Sequence, residues 1–307
     1  MGPKRVVRER LDTSEDRPGF IHPGQVSFGF EVPGREFVTT DGFVHKLDDQ
    51  GFRLAERKPG KRDLTILVLG CSFAFGYGLP REQTLGAQMA RLLQILLGRR
   101  VFDINLAVPG ASNDYISRQL SESIECLRPD IVFVAFTQAS RVEYWASEKK
   151  GYTLRPGQPN RSEWSDERIS LKKKCEDLEG YANDMARLYR SIKICSLACL
   201  AYCVPFYYTY ATYYKTPSIN QWMSNEEYSG LVFPRIDFAG DHTHPGPLSN
   251  KLLALAAVAK MATTSFQRRG RRVRRIFRSL ENNLTLGDDV TSWVARRQET
   301  IVVEPYR

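Results

Sequence analysis

Two potential nucleophiles stand side by side in residues 66–80, ILVLGCSFAFGYGLP, where an apolar run ends at a glycine. Cys71 and Ser72 follow the carboxyl end of a predicted buried strand, which is where open α/β sheets bind their ligands. Adjacent residues that leave a strand point in opposite directions, so a Ser72 that faces the crevice turns Cys71 towards the core. We take Ser72 as the candidate nucleophile. Capping of the next helix by Ser72 and attack by Cys71 stay open as alternatives.

A serine hydroxyl is a weak nucleophile at neutral pH and needs a base. The chain has four histidines, and two of them lie in GDHTHPG, residues 240–246. Asp241 and His244 are three residues apart in a turn-forming segment, close enough for the carboxylate to hold the Nδ1–H group while Nε2 faces the serine. Asp241, His242 and His244 can also be read as metal ligands. No further ligand cluster accompanies them, and we predict no metal.

The glycines of residues 66–80 do not form a nucleotide-binding loop. Five residues separate Gly70 from Gly76, and Tyr77 follows where the phosphate-binding pattern has lysine. The glycine fingerprint of dinucleotide-binding proteins is not met either. Because Cys195, Cys199 and Cys203 recur every four residues without a nearby histidine, they are predicted to be a core stripe on a helix rather than metal ligands. We therefore predict no cofactor.

Apolar runs and amphipathic segments alternate from residue 63 onward. The segments LTILVLG, VFDINLAV, DIVFVAF and PFYYTYATYY are predicted strands, and helical periodicity lies between them and after the last. Continuous apolar strands connected by helices are typical of a parallel sheet covered on both faces. We predict a three-layer α/β/α domain over residues 63–266. Within it, residues 137–180 are predicted to be an insertion of loops and one short helix.

The two ends of the chain differ from this domain in composition. Residues 1–62 carry proline, glycine and charged residues with only short apolar patches, which indicates a polar arm with at most a hairpin. Seven arginines between residues 268 and 278 account for most of the net charge of +9, which falls to +2 without them. Residues 267–307 are therefore predicted to be a basic tail, either solvated or in contact with RNA or an anionic membrane.

Composition and hydropathy are those of a globular protein, with 42% apolar and 26% charged residues. The start of the chain lacks the apolar stretch of a signal peptide. The longest apolar run, ICSLACLAYCVPF, contains a proline and is shorter than the roughly 20 residues of a membrane span. We expect a cytoplasmic protein.

The candidate residues together resemble the SGNH (GDSL-type) hydrolase superfamily. LVLGCSFAFGYGLPREQTLGAQMARLL is similar to its first block, INLAVPGASND to its second and GDHTHPG to its last. LDDQGFRLAE is similar to a segment that precedes the catalytic domain in many bacterial members. The resemblance spans about residues 44–262 and implies a flavodoxin-like α/β/α fold. It also implies that Ser72, Asp241 and His244 form a catalytic triad.

The resemblance further implies an oxyanion hole made by the backbone N–H groups of Ser72 and Gly110. The chain departs from the family after the third strand, where AFTQASRVEYW replaces the usual Gly-x-Asn-Asp. The expected asparagine donor is thus missing, and Asn113 and Gln138 are the candidates to replace it. A second departure, Cys71 in place of the family's aspartate, is mild because that aspartate is not part of the triad.

Arg141 lies in the same segment after the third strand. An arginine at this position can bind an anionic substrate, or it can hold the insertion in place by pairing with an acid such as Glu143. Both interpretations stay open at the level of sequence.

These residues imply an acyl-ester hydrolase that removes a short acyl group, such as acetyl, from a carbohydrate or a small ester. An acyltransferase acting on carbohydrate would use the same triad. A binding module that has the fold but lacks the third-block asparagine is an alternative of a different class. The expected partner is the small ester or acylated carbohydrate itself.

Overall fold

The computed structural model describes residues 26–27, 36–38, 42–48, 52–53, 63–147, 150–157, 159–160, 164–178, 180–211 and 228–268. Most of the predicted polar arm and residues 269–307 of the predicted basic tail lie outside these ranges. The proposed RNA or membrane contact of the tail therefore stays a prediction.

Strands and helices alternate through the described ranges. The strands are β1 Val26–Ser27, β2 Glu36–Val38, β3 Val44–Lys46, β4 Leu64–Gly70, β5 Val101–Asn105, β6 Ile131–Phe136, β7 Val142–Ser147, β8 Lys150–Leu154, β9 Phe206–Tyr210 and β10 Tyr228–Val232. The α-helices are α1 Ser72–Phe75, α2 Leu85–Leu97, α3 Asn113–Leu127, α4 Asp166–Leu178, α5 Tyr181–Ala201 and α6 Pro247–Arg268. Among these helices, none is both long enough and apolar enough to cross a bilayer.

Five parallel strands form the main sheet, in the order β5, β4, β6, β9, β10. Numbered along the chain, this order is 2-1-3-4-5, the order of flavodoxin-like doubly wound folds. The winding reverses between β4 and β6, and in such sheets the ligand crevice lies outside the carboxyl ends of the strands at this reversal. The predicted three-layer α/β/α architecture with a parallel sheet is confirmed.

Side chains of strand β4, which lies between β5 and β6, alternate between two cores. Ile66 and Val68 pack in the cluster that includes α2 and α6, whereas Leu67 and Leu69 pack in the cluster that includes α3 and α5. Each of the four is at most 1% exposed. Because both faces of the strand are covered, its sequence is continuously apolar rather than alternating.

Helices α2 and α3 begin at residues whose side chains cap them. Thr84 accepts a hydrogen bond from the Ala87 N–H group at the start of α2, and Gly98 takes a left-handed conformation at its end. At the start of α3, the Ser112 hydroxyl accepts a hydrogen bond of 3.1 Å from the Tyr115 N–H group. Ser112 is therefore the cap of α3, and the neighbouring Asn113 is left for another role.

The prediction that residues 137–180 are loops with one short helix is wrong. Strands β7 and β8 form an antiparallel hairpin, β1 adds to it in parallel, and α4 is 13 residues long. The insertion buries a small cluster of its own, made by Val142, Tyr152, Leu154 and Cys175. Its strands mix aromatic, charged and small residues, and they were not predicted because they contain no continuous apolar run.

The expectation that residues 1–62 stay outside the core is wrong for their described C-terminal part. Strands β2 and β3 form the hairpin that the turn signals indicated. The chain then enters the domain, where Leu47 is 3% exposed and Phe52 is 1% exposed. Leu47 joins the α2 and α6 side of the core, and Phe52 joins the α3 and α5 side.

Candidate active site

Ser72 is the first residue of α1, directly beyond the carboxyl end of β4. The strand reaches this turn through Gly70, whose φ is +157° and where a Cβ atom would come within 2.7 Å of the Ala74 side chain and 2.8 Å of the Ala135 carbonyl oxygen. Only glycine fits such an approach. The single turn of α1 closes when the Gly76 and Tyr77 N–H groups donate to the Ser72 carbonyl, both at 3.1 Å.

His244 and Asp241 are hydrogen-bonded to each other at the other end of the domain's sequence. The ring Nδ1 of His244 contacts Asp241 Oδ2, and the His244 backbone N–H donates to Asp241 Oδ1 at 3.0 Å. Thr243 adds a hydroxyl hydrogen bond of 2.7 Å to Asp241 Oδ2. The carboxylate is thus fixed from three directions, and the ring has its Nε2 atom turned away from it, as the spacing predicted.

Asp237 holds this loop against the start of α6. Its carboxylate accepts hydrogen bonds from the Leu248 and Ser249 N–H groups at 2.8 and 2.7 Å. An acidic side chain at this place satisfies N–H groups of the first helical turn that have no partner inside the helix. Gly246 is required beside it, because a Cβ there would lie 2.6 Å from the Asp237 carboxyl group.

The Ser72 turn and the His244 loop meet through two aromatic rings. The Tyr77 ring is stacked on the His244 imidazole with centroids 4.5 Å apart, and the Phe73 ring meets the same imidazole edge-on at 5.6 Å. Neither Ser72 Oγ nor His244 Nε2 has a hydrogen-bond partner within the described residues. Hydrogen bonds between catalytic groups often form only in the complex with substrate, so the absence of one between Ser72 and His244 in the free protein is compatible with their acting together.

The surroundings of the pair keep the carboxylate charged and the imidazole neutral. Burial alone would raise the pKa of Asp241, but hydrogen bonds from His244 and Thr243 lower it to about 2. Burial lowers the pKa of His244, the Asp241 carboxylate opposes that shift, and the guanidinium charges of Arg235 and Arg141 reinforce it. At neutral pH His244 therefore has the unprotonated Nε2 that a general base needs.

Gly110 lies in the loop after β5, which is hydrogen-bonded to the turn that contains Ser72. The Val108 N–H group donates to the Gly70 carbonyl at 3.1 Å, and the Asn105 side chain donates to the Ala74 carbonyl at 3.0 Å, so that the loop is fixed to the Ser72 turn. Gly110 itself has φ +80°, and its N–H group donates to no described residue. A backbone donor without a partner at this edge suits an oxyanion.

Asn113 does not serve as a free donor, which corrects one of the two predicted replacements. Its side-chain amide donates to the carbonyls of Thr137 and Gln138 at 3.2 and 3.5 Å, and its Oδ1 accepts from the Thr137 N–H group at 2.8 Å. Asn113 is 1% exposed. Its role in this structure is to join the start of α3 to the turn after β6.

The turn after β6 contains Gln138 and Arg141, and a hydrogen bond of 3.1 Å from the Arg141 N–H group to the Gln138 carbonyl closes it. The side-chain amide of Gln138 makes no hydrogen bond within the described residues, and its oxygen is buried. Arg141 likewise has a buried Nη1 atom without a hydrogen-bond partner. Both predicted residues therefore stay available for a ligand.

The residues of the alternative chemistries, Cys71, His242 and the three cysteines of the predicted stripe, lie in different surroundings. Cys71 is 2% exposed and packs in the interior, as the strand geometry predicted. His242 has a left-handed φ of +57° and an exposed side chain that hydrogen-bonds to no described residue. Of the three cysteines predicted as a core stripe, Cys195 and Cys199 are fully buried, but Cys203 is exposed because the helix ends before it.

Two residues of the upstream segment support the Ser72 turn and were not singled out from the sequence. The Arg53 guanidinium donates to the carbonyls of Phe75 and Gly76 at 2.9 and 2.7 Å and also to the Leu79 carbonyl. His45 Nε2 accepts a hydrogen bond of 3.1 Å from the Gly78 N–H group. The similarity of the Gly-Phe-Arg segment to family members was the one signal that pointed here.

Comparison with known proteins gives matches among solved structures only, since no family model and no curated protein matches the chain. The matches include the crystal structure of TesA (12% identity, 65% of this chain and 99% of that chain, TM-score 0.42). They also include the psychrotrophic esterase EstA from Pseudoalteromonas sp. (13% identity, 65% and 97%, TM-score 0.41). A third is a putative lipolytic protein of the G-D-S-L family from Desulfitobacterium hafniense DCB-2 (11% identity, 64% and 98%, TM-score 0.38).

By structure, the chain is similar to G-D-S-L-family esterases. Likeness at this identity and these TM-scores does not decide what the chain does, because activity depends on the side chains at the site rather than on the fold.

Proposed function

We propose that the protein is a serine ester hydrolase of the SGNH type, with Ser72, His244 and Asp241 as its triad. The observation that carries the proposal is the packing of the Asp241 and His244 pair, through Phe73 and Tyr77, against the turn that begins at Ser72. The proposal is supported because a hydroxyl, an imidazole oriented by a carboxylate and a backbone N–H group without a described partner occur together at the carboxyl ends of parallel strands, where such sheets bind ligands.

In the proposed reaction, Ser72 Oγ attacks the ester carbonyl carbon and His244 Nε2 takes the hydroxyl proton. Asp241 orients the ring and stabilises the imidazolium that forms. The N–H groups of Ser72 and Gly110, with Gln138 as a third donor, stabilise the negative charge on the carbonyl oxygen. His244 then protonates the leaving alcohol, and a water molecule activated by the same base releases the acid from Ser72.

The proposed acyl group is short, with acetyl on a carbohydrate or a small ester as the first substrate to test. Hydrolysis and transfer to a carbohydrate use the same triad and differ in whether water or a hydroxyl accepts the acyl group. Acetate release that needs no added sugar supports hydrolysis, whereas turnover only with an added carbohydrate acceptor supports transfer.

Turnover of p-nitrophenyl acetate by the wild type, Ser72→Ala and Cys71→Ala tests the triad directly. We expect Ser72→Ala to lower kcat by about 10⁴-fold or more, as for nucleophile removal in other serine hydrolases, and Cys71→Ala to remain active. Circular dichroism of both variants controls for folding. Equal turnover by the wild type and Ser72→Ala contradicts the proposal, and loss in Cys71→Ala alone assigns the reaction to the cysteine. A folded wild type without any esterase activity favours the binding module.

A further inference from the structure

The guanidinium of Arg141 is a partly buried charge without a counter-charge. Its Nη1 atom is excluded from solvent and has no hydrogen-bond partner, and no carboxylate within the described ranges forms an ion pair with it. Two other arginines of the domain differ in this respect, since Arg81 pairs with Asp103 at 2.6 Å and Arg118 pairs with Glu143 at 2.6 Å. Burying a cation without a partner is strongly unfavourable, so a ligand that supplies the missing anion has energy to gain.

Two acids close to this turn pair with other cations. Glu143, the acid that the sequence offered as an example of a structural partner for Arg141, binds Arg118 through both carboxylate oxygens, at 2.6 and 3.4 Å. Asp114 accepts a hydrogen bond from the Glu143 N–H group and lies 3.6 Å from Arg190. Pairing of Arg141 with these residues is thus not how its charge is balanced.

Arg141 stands at the edge of the sheet where the proposed reaction occurs. It lies in the turn after β6, which is paired with β4 along its length, and Ser72 follows β4. The Asn113 side chain fixes the backbone of this turn. The charge of Arg141 also acts on His244, where together with Arg235 and burial it lowers the pKa of the imidazole. The guanidinium is thus near the proposed base, in a turn with a fixed backbone.

We propose that Arg141 binds a carboxylate or phosphate group of the substrate. The substrates are then esters that carry this anionic group close to the scissile bond. A guanidinium offers paired N–H groups in one plane, which match two oxygens of either anion. This inference rests on the proposed function for the place of the scissile bond at Ser72. It goes beyond that function by naming the charge of the substrate.

Matched ester pairs test the proposal. On the alcohol side, p-acetoxybenzoate and p-acetoxyphenyl phosphate are compared with the neutral p-acetoxybenzamide. On the acyl side, the p-nitrophenyl monoester of adipic acid is compared with p-nitrophenyl hexanoate. The wild type is expected to favour an anionic member over its neutral counterpart by about 10- to 100-fold in kcat/KM, the range of one hydrogen-bonded charge. Preference for p-acetoxybenzoate identifies the anion as a carboxylate, and preference for p-acetoxyphenyl phosphate identifies it as a phosphate.

Three variants assign the preference to its residue. Arg141→Gln is expected to abolish the ratio of anionic to neutral kcat/KM, and Arg141→Lys to keep part of it. Arg91→Gln makes the same charge change on the exposed face of α2 and is expected to leave the ratio as in the wild type. A wild type without preference in every pair, or a full preference in Arg141→Gln, overturns the proposal.

A binding measurement separates failure of this inference from failure of the proposed function. Ser72→Ala and the double variant Ser72→Ala with Arg141→Gln are titrated calorimetrically with p-acetoxybenzoate and with inorganic phosphate. Binding by the single variant that is lost in the double variant supports the anion site even if the wild type hydrolyses no ester. Absence of binding by Ser72→Ala, or equal binding by both variants, overturns it.

Discussion

His244 has to be neutral to act as the base, and its neighbours favour that state. Burial and the charges of Arg235 and Arg141 lower its pKa, and Asp241 opposes them only in part. A base whose pKa is lowered loses its activity at a lower pH than a solvent-exposed histidine would. The two arginines thus extend the pH range of the proposed enzyme towards acid, in addition to any contact with substrate.

We expect kcat/KM for p-nitrophenyl acetate to fall on the acidic side with a midpoint below pH 6.5, the ordinary pKa of histidine. Salt at about 1 M screens charges over a few ångströms and should move the midpoint upward, because it weakens the effect of the arginines. His242→Gln, two residues away and exposed, is expected to leave the midpoint unchanged. A midpoint at or above 6.5 in low salt contradicts this account of His244.

At the scale of elements, Arg53 holds the turn that carries Ser72, the proposed nucleophile. The guanidinium donates to the carbonyls of Phe75 at the end of α1 and of Gly76 and Leu79 beyond it, and the Gly76 carbonyl also accepts from the Leu79 N–H group at 3.1 Å. Burial, together with the charge of Arg81, lowers the pKa of Arg53 to about 9, so that the group is still charged at neutral pH. A cation surrounded by carbonyl oxygens fixes their directions and hence the loop.

Arg53→Met should therefore impair both stability and catalysis. Leaving buried carbonyls without donors costs about 1–3 kcal/mol each, partly offset by removal of the buried charge, and we expect a loss of about 2–4 kcal/mol in the free energy of unfolding. Urea denaturation measures it, and kcat is measured at a temperature where all variants are folded. Arg53→Lys has one ammonium group for three carbonyls, and its free energy of unfolding and kcat are expected to lie between those of the wild type and Arg53→Met. Arg91→Met on α2 is the control. An unchanged kcat in folded Arg53→Met would show that Arg53 does not position the turn.

Local signals in the sequence were sufficient for four of the five strands of the main sheet and for its helices, but not for the fifth strand, Tyr228–Val232. Thr84, Gly98 and Ser112 act where their side chains or backbone predict, because capping depends on residues within one turn. The pairing of Asp241 with His244 is likewise a short-range feature. Asn113 was misjudged because its decisive bonds reach Thr137, 24 residues away, and Arg53 contacts residues 22 to 26 positions away. Contacts between residues so far apart in the sequence produce no periodic pattern from which they could be predicted.

At the scale of the whole molecule, the domain does not begin at residue 63. Leu47 and Phe52 are almost fully buried, and burying a side chain of this size contributes about 1.5–3 kcal/mol. Together with Arg53 they represent a large share of the 5–15 kcal/mol by which a typical protein is stable.

Two truncated chains test this. A chain that starts at residue 63 is expected to unfold at lower urea concentration than the full chain, or not to fold, because both cores lose a buried residue. A chain that ends at residue 268 is expected to keep full stability and ester turnover, because both cores and the proposed triad lie before that residue. If the chain that starts at residue 63 is as stable as the full chain, the domain begins at residue 63 as the sequence predicted.

The turn with Gln138 and Arg141 runs without a break into the hairpin of β7 and β8, which packs on a cluster separate from the two cores of the sheet. The sheet therefore positions Ser72, the proposed nucleophile, whereas Arg141, the proposed specificity residue, lies where the turn runs into the hairpin. The hairpin is joined to the rest of the domain through α3, where Arg118 pairs with Glu143 of β7. Exchanging residues 141–178 between proteins of this architecture, with the pair of Arg118 and Glu143 kept, is consequently a test of whether this segment sets the substrate.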